Sequence, residues 1–330
     1  MTKQRDSNIE LLRIVLMFMI VCGHVLNHGV FQCHTQFLSF DYVVKNVSII
    51  FCPAVTAFVL ISGFYGIKPS IKGGLKFWFL CFFWLCVSIT ICFLLGGFIS
   101  LHVFVYDVVL CLFSWGHGLW FIVSYFFLYS LSPFINAYQM SLTDKELNRY
   151  IFVLVLFDVL IGYVFRMAIY EYWHFIVLYA IGFYLNRNKE SILLIKKWHC
   201  ILIYVSSMTL LWFEQMHPLP FIPSAYTNSN PLIIFAGCAL LVLFIKIRIE
   251  YNPIINGIAK SVFAIYVFHE NIWLRPTISS IVSDVYDTFL SPLNYMMIFL
   301  LVLSLFIVIP ILDSLRITLS EKLLFRRDRR

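Results

Sequence analysis

Charge is what this sequence has least of. Asp, Glu, Lys and Arg supply only 12% of its 330 residues, against 61% hydrophobic and 18% aromatic, whereas soluble domains carry about 25% charged residues. That shortage excludes a chain solvated mainly by water and makes a lipid bilayer its principal partner. No Gly-x-Ser-x-Gly elbow, Walker loop or Rossmann fingerprint occurs, so a serine hydrolase, an ATP-driven pump and a dinucleotide enzyme all lack their signals. Cys-x-x-Cys and zinc-ligand spacings are missing as well. Cys22, Cys52, Cys81, Cys86, Cys92 and Cys238 lie in apolar runs, where they pack as small apolar groups. Cys33 and Cys111 fall on one expected side of the membrane, and the sequence leaves open whether they pair.

What is abundant is hydrocarbon in long stretches. Apolar runs of about 17–25 residues, long enough to cross a bilayer, place helices near 10–29, 46–67, 75–99, 119–137, 150–168, 173–186, 198–213, 231–248, 255–273 and 294–315. The expectation is an all-α, polytopic transmembrane bundle of about ten helices, forming a single membrane-embedded domain over residues 1–330. The sixth run is the shortest and relies on interfacial Trp173 and Tyr184 to span. The first holds Arg13 and His24 and lacks an Ala-x-Ala-like exit, so it is expected to stay attached rather than be cleaved as a signal peptide.

The basic residues orient the bundle. The N-terminal tail, the even-numbered connections and the C-terminal tail hold twenty of the 24 Lys and Arg residues, including Lys68, Lys72 and Lys76 after the second run and Arg326, Arg327, Arg329 and Arg330 at the end. Only Lys45, Arg166 and Arg275 fall in the odd connections, and Arg13 lies inside the first run. The positive-inside rule then predicts a multi-pass protein of the inner or plasma membrane with both termini cytoplasmic. Anionic headgroups account for the net charge of +7, so no nucleic-acid partner is expected.

An ionisable side chain within a span costs at least about 2.5–3.5 kcal/mol at its centre, so each one asks for a reason. Arg13 and His24 are eleven positions apart on the first helix, close to three turns, which sets them on one face about 16 Å apart along the axis. A guanidinium near the cytoplasmic mouth suits a phosphate-bearing cofactor, and an imidazole in a dry interior suits general-base chemistry. Snorkelling of Arg13 to headgroups and a packing role for His24 are the bland alternatives. His28, one turn above His24, can orient it, contact an acceptor or face water. The adjacent His269 and Glu270 fall at a similar depth and would be costly there unless they line a polar cavity. His24 and His28 at i, i+4 lack the Glu of His-Glu-x-x-His and an assigned third ligand, so no metal is expected. Asp158 and Asp313 are further acids in apolar runs, without an assignable role.

The arginine, ten intervening residues and histidine of the first run, opened by Glu10-Leu-Leu-Arg13, resemble the signature of the acyltransferase-three family, membrane proteins that move acyl groups, usually acetyl, onto carbohydrates. Three further segments are similar to that family in order and spacing: Phe58-Val-Leu-Ile-Ser62-Gly63-Phe64, Gly118-Leu-Trp120-Phe121 with Tyr125 and Pro133, and Ser261-Val-Phe-Ala-Ile-Tyr266-Val-Phe-His269. One departure is that Lys68, Lys72 and Lys76 stand where many members have an Arg-x-x-Arg pair. Lysines attract phosphate as point charges but cannot grip it as a bidentate fork.

The resemblance implies a membrane O-acyltransferase that uses acetyl-CoA as donor and a cell-surface polysaccharide or lipid-linked glycan precursor as acceptor. On that basis Arg13, Lys68, Lys72, Lys76 and Ser62 are expected at the cofactor, and His24, Glu270 and His269 in the chemistry. His28, Trp120, Tyr125 and Tyr266 are expected at the acceptor. Whether His24 is a general base or carries the acyl group is left open, as are the acceptor sugar and a homo-oligomeric state. Ser62-Gly63 also reads as close helix packing, and Trp120 and Tyr125 as an interfacial belt. Rival readings are a flippase for lipid-linked glycan, for which no inverted repeat is visible, and a glycan polymerase.

Overall fold

The computed structural model describes residues 7–95, 119–165, 170–217 and 227–324, and among them every regular element is helical. The helices are α1 (Ser7–Leu26), α2 (Ser39–Val47), α3 (Ala54–Tyr65), α4 (Ile71–Leu94), α5 (Trp120–Ser141), α6 (Asp144–Asp158), α7 (Tyr170–Arg187), α8 (Lys189–Leu194), α9 (Lys197–Met216), α10 (Pro231–Ile245), α11 (Pro253–Ala259), α12 (Val262–Glu270), α13 (Arg275–Thr288) and α14 (Leu293–Leu324). Wider π turns continue α1 over Asn27–Phe31 and α6 over Val159–Val164.

Local chemistry sets many of the boundaries. Asn230 and Asn252 each precede a proline, and their side-chain oxygens accept from Leu232 N at 2.9 Å and Ile254 N at 2.9 Å, which caps α10 and α11. Thr143 and Glu146 form a reciprocal capping box at α6. Gly66, at φ +73°, takes the left-handed conformation that ends α3.

Among the described residues, six stretches are long and apolar enough to cross a membrane: Ser7–Phe31, Ser39–Tyr65, Ile71–Leu94, Trp120–Ser141, Asp144–Val164 and Leu293–Lys322. The ten expected runs therefore do not all become such helices. The second begins earlier, at Ser39, and is interrupted around Phe51–Pro53 before α3. The eighth is realised as α10, of 15 residues. The ninth is not one helix but two, α11 and α12, divided at Lys260–Ser261. There the Ser261 hydroxyl donates to Asp313 Oδ2 at 2.8 Å. The connection after it carries an unforeseen helix, α13.

The described chain packs as two compact units. The first comprises Met1–Ile20, Val44–Pro69 and Ser124–Tyr251. Within it α3 and α7 cross so closely that a Cβ on Gly63 would overlap the Tyr179 carbonyl oxygen and one on Gly182 the Leu60 carbonyl oxygen. Tyr179 locks the crossing, donating to Asn136 Oδ1 at 2.7 Å and accepting from Ile67 N at 2.8 Å. The buried Asp158 finds a partner here in His174, Nδ1 to Oδ2 at 2.8 Å.

The second unit comprises Val21–Val43, Ser70–Val123 and Asn252–Arg330. Its core contains α4, α12, α13 and α14, and Asp313, whose carboxylate is fully buried, ties α4 and the start of α12 to α14. Asp313 accepts from Trp84 Nε1 at 2.8 Å, from Ser261 and from both Nε and Nη2 of Arg316 at 2.6 and 2.8 Å. A buried carboxylate with four donors is a structural knot, and that is the role Asp313 lacked in the sequence.

Candidate active site

The second unit gathers a charged cluster out of three short pieces of backbone. The last turns of α1 present His24, and the π turn after it presents His28. The end of α12 supplies His269 and Glu270, and the first residue of α13 is Arg275. Asn271 sets the geometry of the last two pieces. Fully buried, it donates through Nδ2 to Ser88 Oγ at 2.7 Å and Val267 O at 2.8 Å, and its Oδ1 accepts from Trp273 N and Leu274 N, both at 3.0 Å. One side chain thus ends α12 and aims the chain into α13.

Hydrogen-bond roles fix the tautomers. His269 Nδ1 lies 2.7 Å from the Ile265 carbonyl oxygen. A carbonyl only accepts, so Nδ1 carries the proton and Nε2 of the neutral ring is an acceptor. His24 Nδ1 lies 3.1 Å from that Nε2 and 3.0 Å from Glu270 Oε2. Both neighbours accept, so His24 must also be protonated at Nδ1, which leaves a lone pair on its Nε2. His24 keeps 31% of its side chain exposed, against 7% for Glu270. One N–H cannot point at two acceptors, and Glu270 Oε2 is buried without an aligned donor. It stands ready to stabilise positive charge on the His24 ring.

Glu270 is itself held by cations or groups that can become so. Arg275 Nη1 lies 3.1 Å from Oε1, and His28 Nε2 lies 3.8 Å from the same oxygen. His28 Nδ1 is 3.0 Å from Gln32 Oε1. Tyr266 is buried, with its ring edge-on to His269 at 5.9 Å between centroids. One ring nitrogen each of His24 and His269 and a Glu270 carboxylate oxygen lie within 4.8 Å of one another, close enough to share a divalent cation. The expectation of no metal was argued from His24 and His28, whereas His269 is the residue that completes this set.

The other expected site residues lie as follows. Arg13 is on α1, which runs unbroken to Leu26, and its Nη1 is 3.7 Å from Glu10 Oε1. Ser62 and Tyr125 meet in the first unit, Oγ to OH at 3.3 Å. Lys68 is exposed after α3, and Lys72 and Lys76 are exposed on the opening turns of α4. Trp120 begins α5. Gly118, Cys111 and Arg166 lie outside the described residues.

Sequence reasoning missed Arg275 and Asn271. The signal for them was an Asn that favours a turn, followed by Arg275-Pro276, which suits a helix start.

A family model described as an acyltransferase domain matches residues 6–313. No curated protein matches the chain, and no solved structure does.

Proposed function

The chain belongs to the acyltransferase family that this match describes, a membrane acyltransferase, and on that premise we propose that it moves acetyl from acetyl-CoA to a hydroxyl of a cell-surface polysaccharide or lipid-linked glycan precursor. The observation that carries the chemistry is the His24 imidazole, oriented through Nδ1 by His269 with the Glu270 carboxylate beside it, so that Nε2 is left to accept a proton. The acceptor hydroxyl gives its proton to Nε2 as its oxygen attacks the thioester carbonyl. The carbon–sulfur bond breaks, and the CoA thiolate takes the proton back from the imidazolium. Glu270 stabilises that cation, and Arg275 keeps the carboxylate in place. The same lone pair could instead attack the carbonyl and carry the acyl group; trapping of an acyl-histidine on labelled protein separates the two routes.

Arg13, with Lys68, Lys72 and Lys76, is assigned to the phosphates of the donor, and Ser62 to the donor as well. His28, Trp120, Tyr125 and Tyr266 are assigned to the acceptor. The Lys and Arg distribution supports both termini in the cytoplasm of an inner or plasma membrane, and the recurring apolar runs, one of them divided into α11 and α12, support about ten spans in a single membrane-embedded domain.

The test is incubation of purified protein with radiolabelled acetyl-CoA and glycan. Label on the glycan is the expected result; glycan movement without label transfer would favour a flippase and contradict the proposal. Metal-assisted transfer is a second reading, resting on the three ligand atoms within 4.8 Å. Under the acid–base mechanism a chelator leaves the rate unchanged. Loss of activity that a divalent cation restores would establish the second reading instead.

A further inference from the structure

Between the first two membrane-crossing stretches, the second unit carries an imidazole caught between two acceptors. His34 Nδ1 lies 3.0 Å from the Val30 carbonyl oxygen, in the π turn after α1, and Nε2 lies 3.1 Å from Asp287 Oδ1, near the end of α13. Neither a carbonyl nor an ionised carboxylate has a proton to give, and a neutral imidazole has one N–H. Both hydrogen bonds therefore exist together only when the ring is charged.

The helix that His34 grips is a rod of 14 residues, about 21 Å long, attached at three places. Its first residue, Arg275, holds Glu270 Oε1 through Nη1 at 3.1 Å. At its middle, Val282 packs on Gly29 so closely that a Cβ on Gly29 would overlap the valine side chain. Its end is held by His34 and by the Tyr286 hydroxyl, which donates to Asp41 Oδ2 at 2.8 Å. The π turn also carries His28, whose Nε2 lies 3.8 Å from Glu270 Oε1, so turn and helix each bring one basic group to the same carboxylate oxygen. With the middle contact as a pivot, slackening at the far end of α13 tilts the near end, where Arg275 sits.

We propose that His34 is a positioning residue for the reaction: in its charged form it clamps the π turn to the end of α13 and so keeps Arg275 and His28 on Glu270. The proposal rests on the His24 mechanism above. The titratable groups around the His34 ring are Asp287 and Tyr286 on α13, the latter at 4.5 Å between ring centroids, with Asp41 on α2 and Tyr295 on α14 behind the Tyr286 hydroxyl. Burial and the hydrogen bond to Asp41 push the Tyr286 phenol up to about 12, so it stays neutral between about pH 5 and 8, where histidines ordinarily change charge. The clamp is complete while the ring is charged, on the acid side, and loses one bond as pH rises and the ring gives up its proton.

The test reads the helix without substrate, so the clamp and the reaction can fail separately. Hydrogen exchange of α13, corrected for the pH dependence of intrinsic exchange, is followed by mass spectrometry on full-length protein in nanodiscs at about pH 5 and about pH 8. Wild type is expected to be about two- to fivefold better protected in acid, the range of one partly exposed ion pair. His34→Phe keeps a ring on Tyr286 but donates nothing, and is expected to show the lower protection at both. Asp287→Asn, where 63% of the side chain is exposed, can pair with either form of the His34 ring and is expected to lose the pH difference. Equal wild-type protection at both pH values, or a difference that survives in either variant, would overturn the proposal. In acyl transfer, the ratio of wild-type to His34→Phe kcat is expected to be larger in acid than in alkali with donor KM unmoved; a ratio of one throughout would overturn the positioning role. If α13 responds as described while no acyl group ever reaches glycan, the His24 mechanism falls and the clamp stands.

Discussion

At the scale of single residues, the account turns on which nitrogen of His24 is free. Glu270→Gln keeps the shape but removes the charge facing the imidazolium, so kcat is expected to fall about 10- to 100-fold with little change in donor KM. Equal losses in kcat and donor affinity would assign Glu270 to binding instead. Arg13→Ala is expected to do the reverse, raising the KM for acetyl-CoA about tenfold or more with a smaller change in kcat. His24, His269 and Glu270 were legible as a group in the sequence because ionisable groups in an apolar run are conspicuous. Arg275 was not, because it sits in a polar connection where a basic residue needs no explanation. The tautomers were illegible for another reason: they follow from the Ile265 carbonyl, a backbone group that no side-chain pattern announces.

At the scale of elements, α13 is the piece that brings Arg275 to Glu270, and a polar clasp holds it. The buried Asp41 carboxylate accepts from the hydroxyls of Tyr286 on α13 and Tyr295 on α14, each at 2.8 Å, and from Leu38 N at 2.6 Å. Burial first, and then the hydrogen bond to Asp41 and its negative charge, push the Tyr286 phenol up to about 12. A raised value means that the neutral form is favoured in the fold, so the contribution of the clasp is complete below the ordinary tyrosine range near 10 and is lost as pH rises through about 12. Tyrosinate absorbance should show Tyr286 ionising later than exposed tyrosines, and Asp41→Asn should advance it; ionisation near 10 in wild type would contradict the clasp. The sequence read this connection as loop because α13 is largely polar. It read 255–273 as one helix because Lys260-Ser261 is no strong breaker, and only the distant Asp313 draws Ser261 out of register.

The glycines of the α3–α7 crossing, Gly63 and Gly182, show a different balance. Gly63 was read both as a site residue's neighbour and as close packing, and the α3–α7 crossing supports the packing role. Gly63→Ala is expected to destabilise the protein by about 1–3 kcal/mol through overpacking, visible as a lower thermal midpoint in detergent. Unchanged stability would mean that the helices part without penalty.

At the scale of the whole molecule, hydropathy made the membrane setting and the helical class legible, since the apolar excess extends along the chain. Helix count was less legible: apolar runs report burial in hydrocarbon or in protein alike, and the run at 255–273 is realised as two pieces too short to cross alone, the largely exposed α11 and the buried α12. Orientation rests on the Lys and Arg tally, and a reporter fused to the C-terminus is expected to be active only in the cytoplasm, whereas an extracytoplasmic signal would reverse the assignment of sides.

The most direct measurement is acyl transfer by His24→Ala. Purified, folded variant given radiolabelled acetyl-CoA and glycan is expected to label acceptor at least about 100-fold more slowly than wild type. Transfer at the wild-type rate would contradict the central claim that the Nε2 of this histidine performs the chemistry.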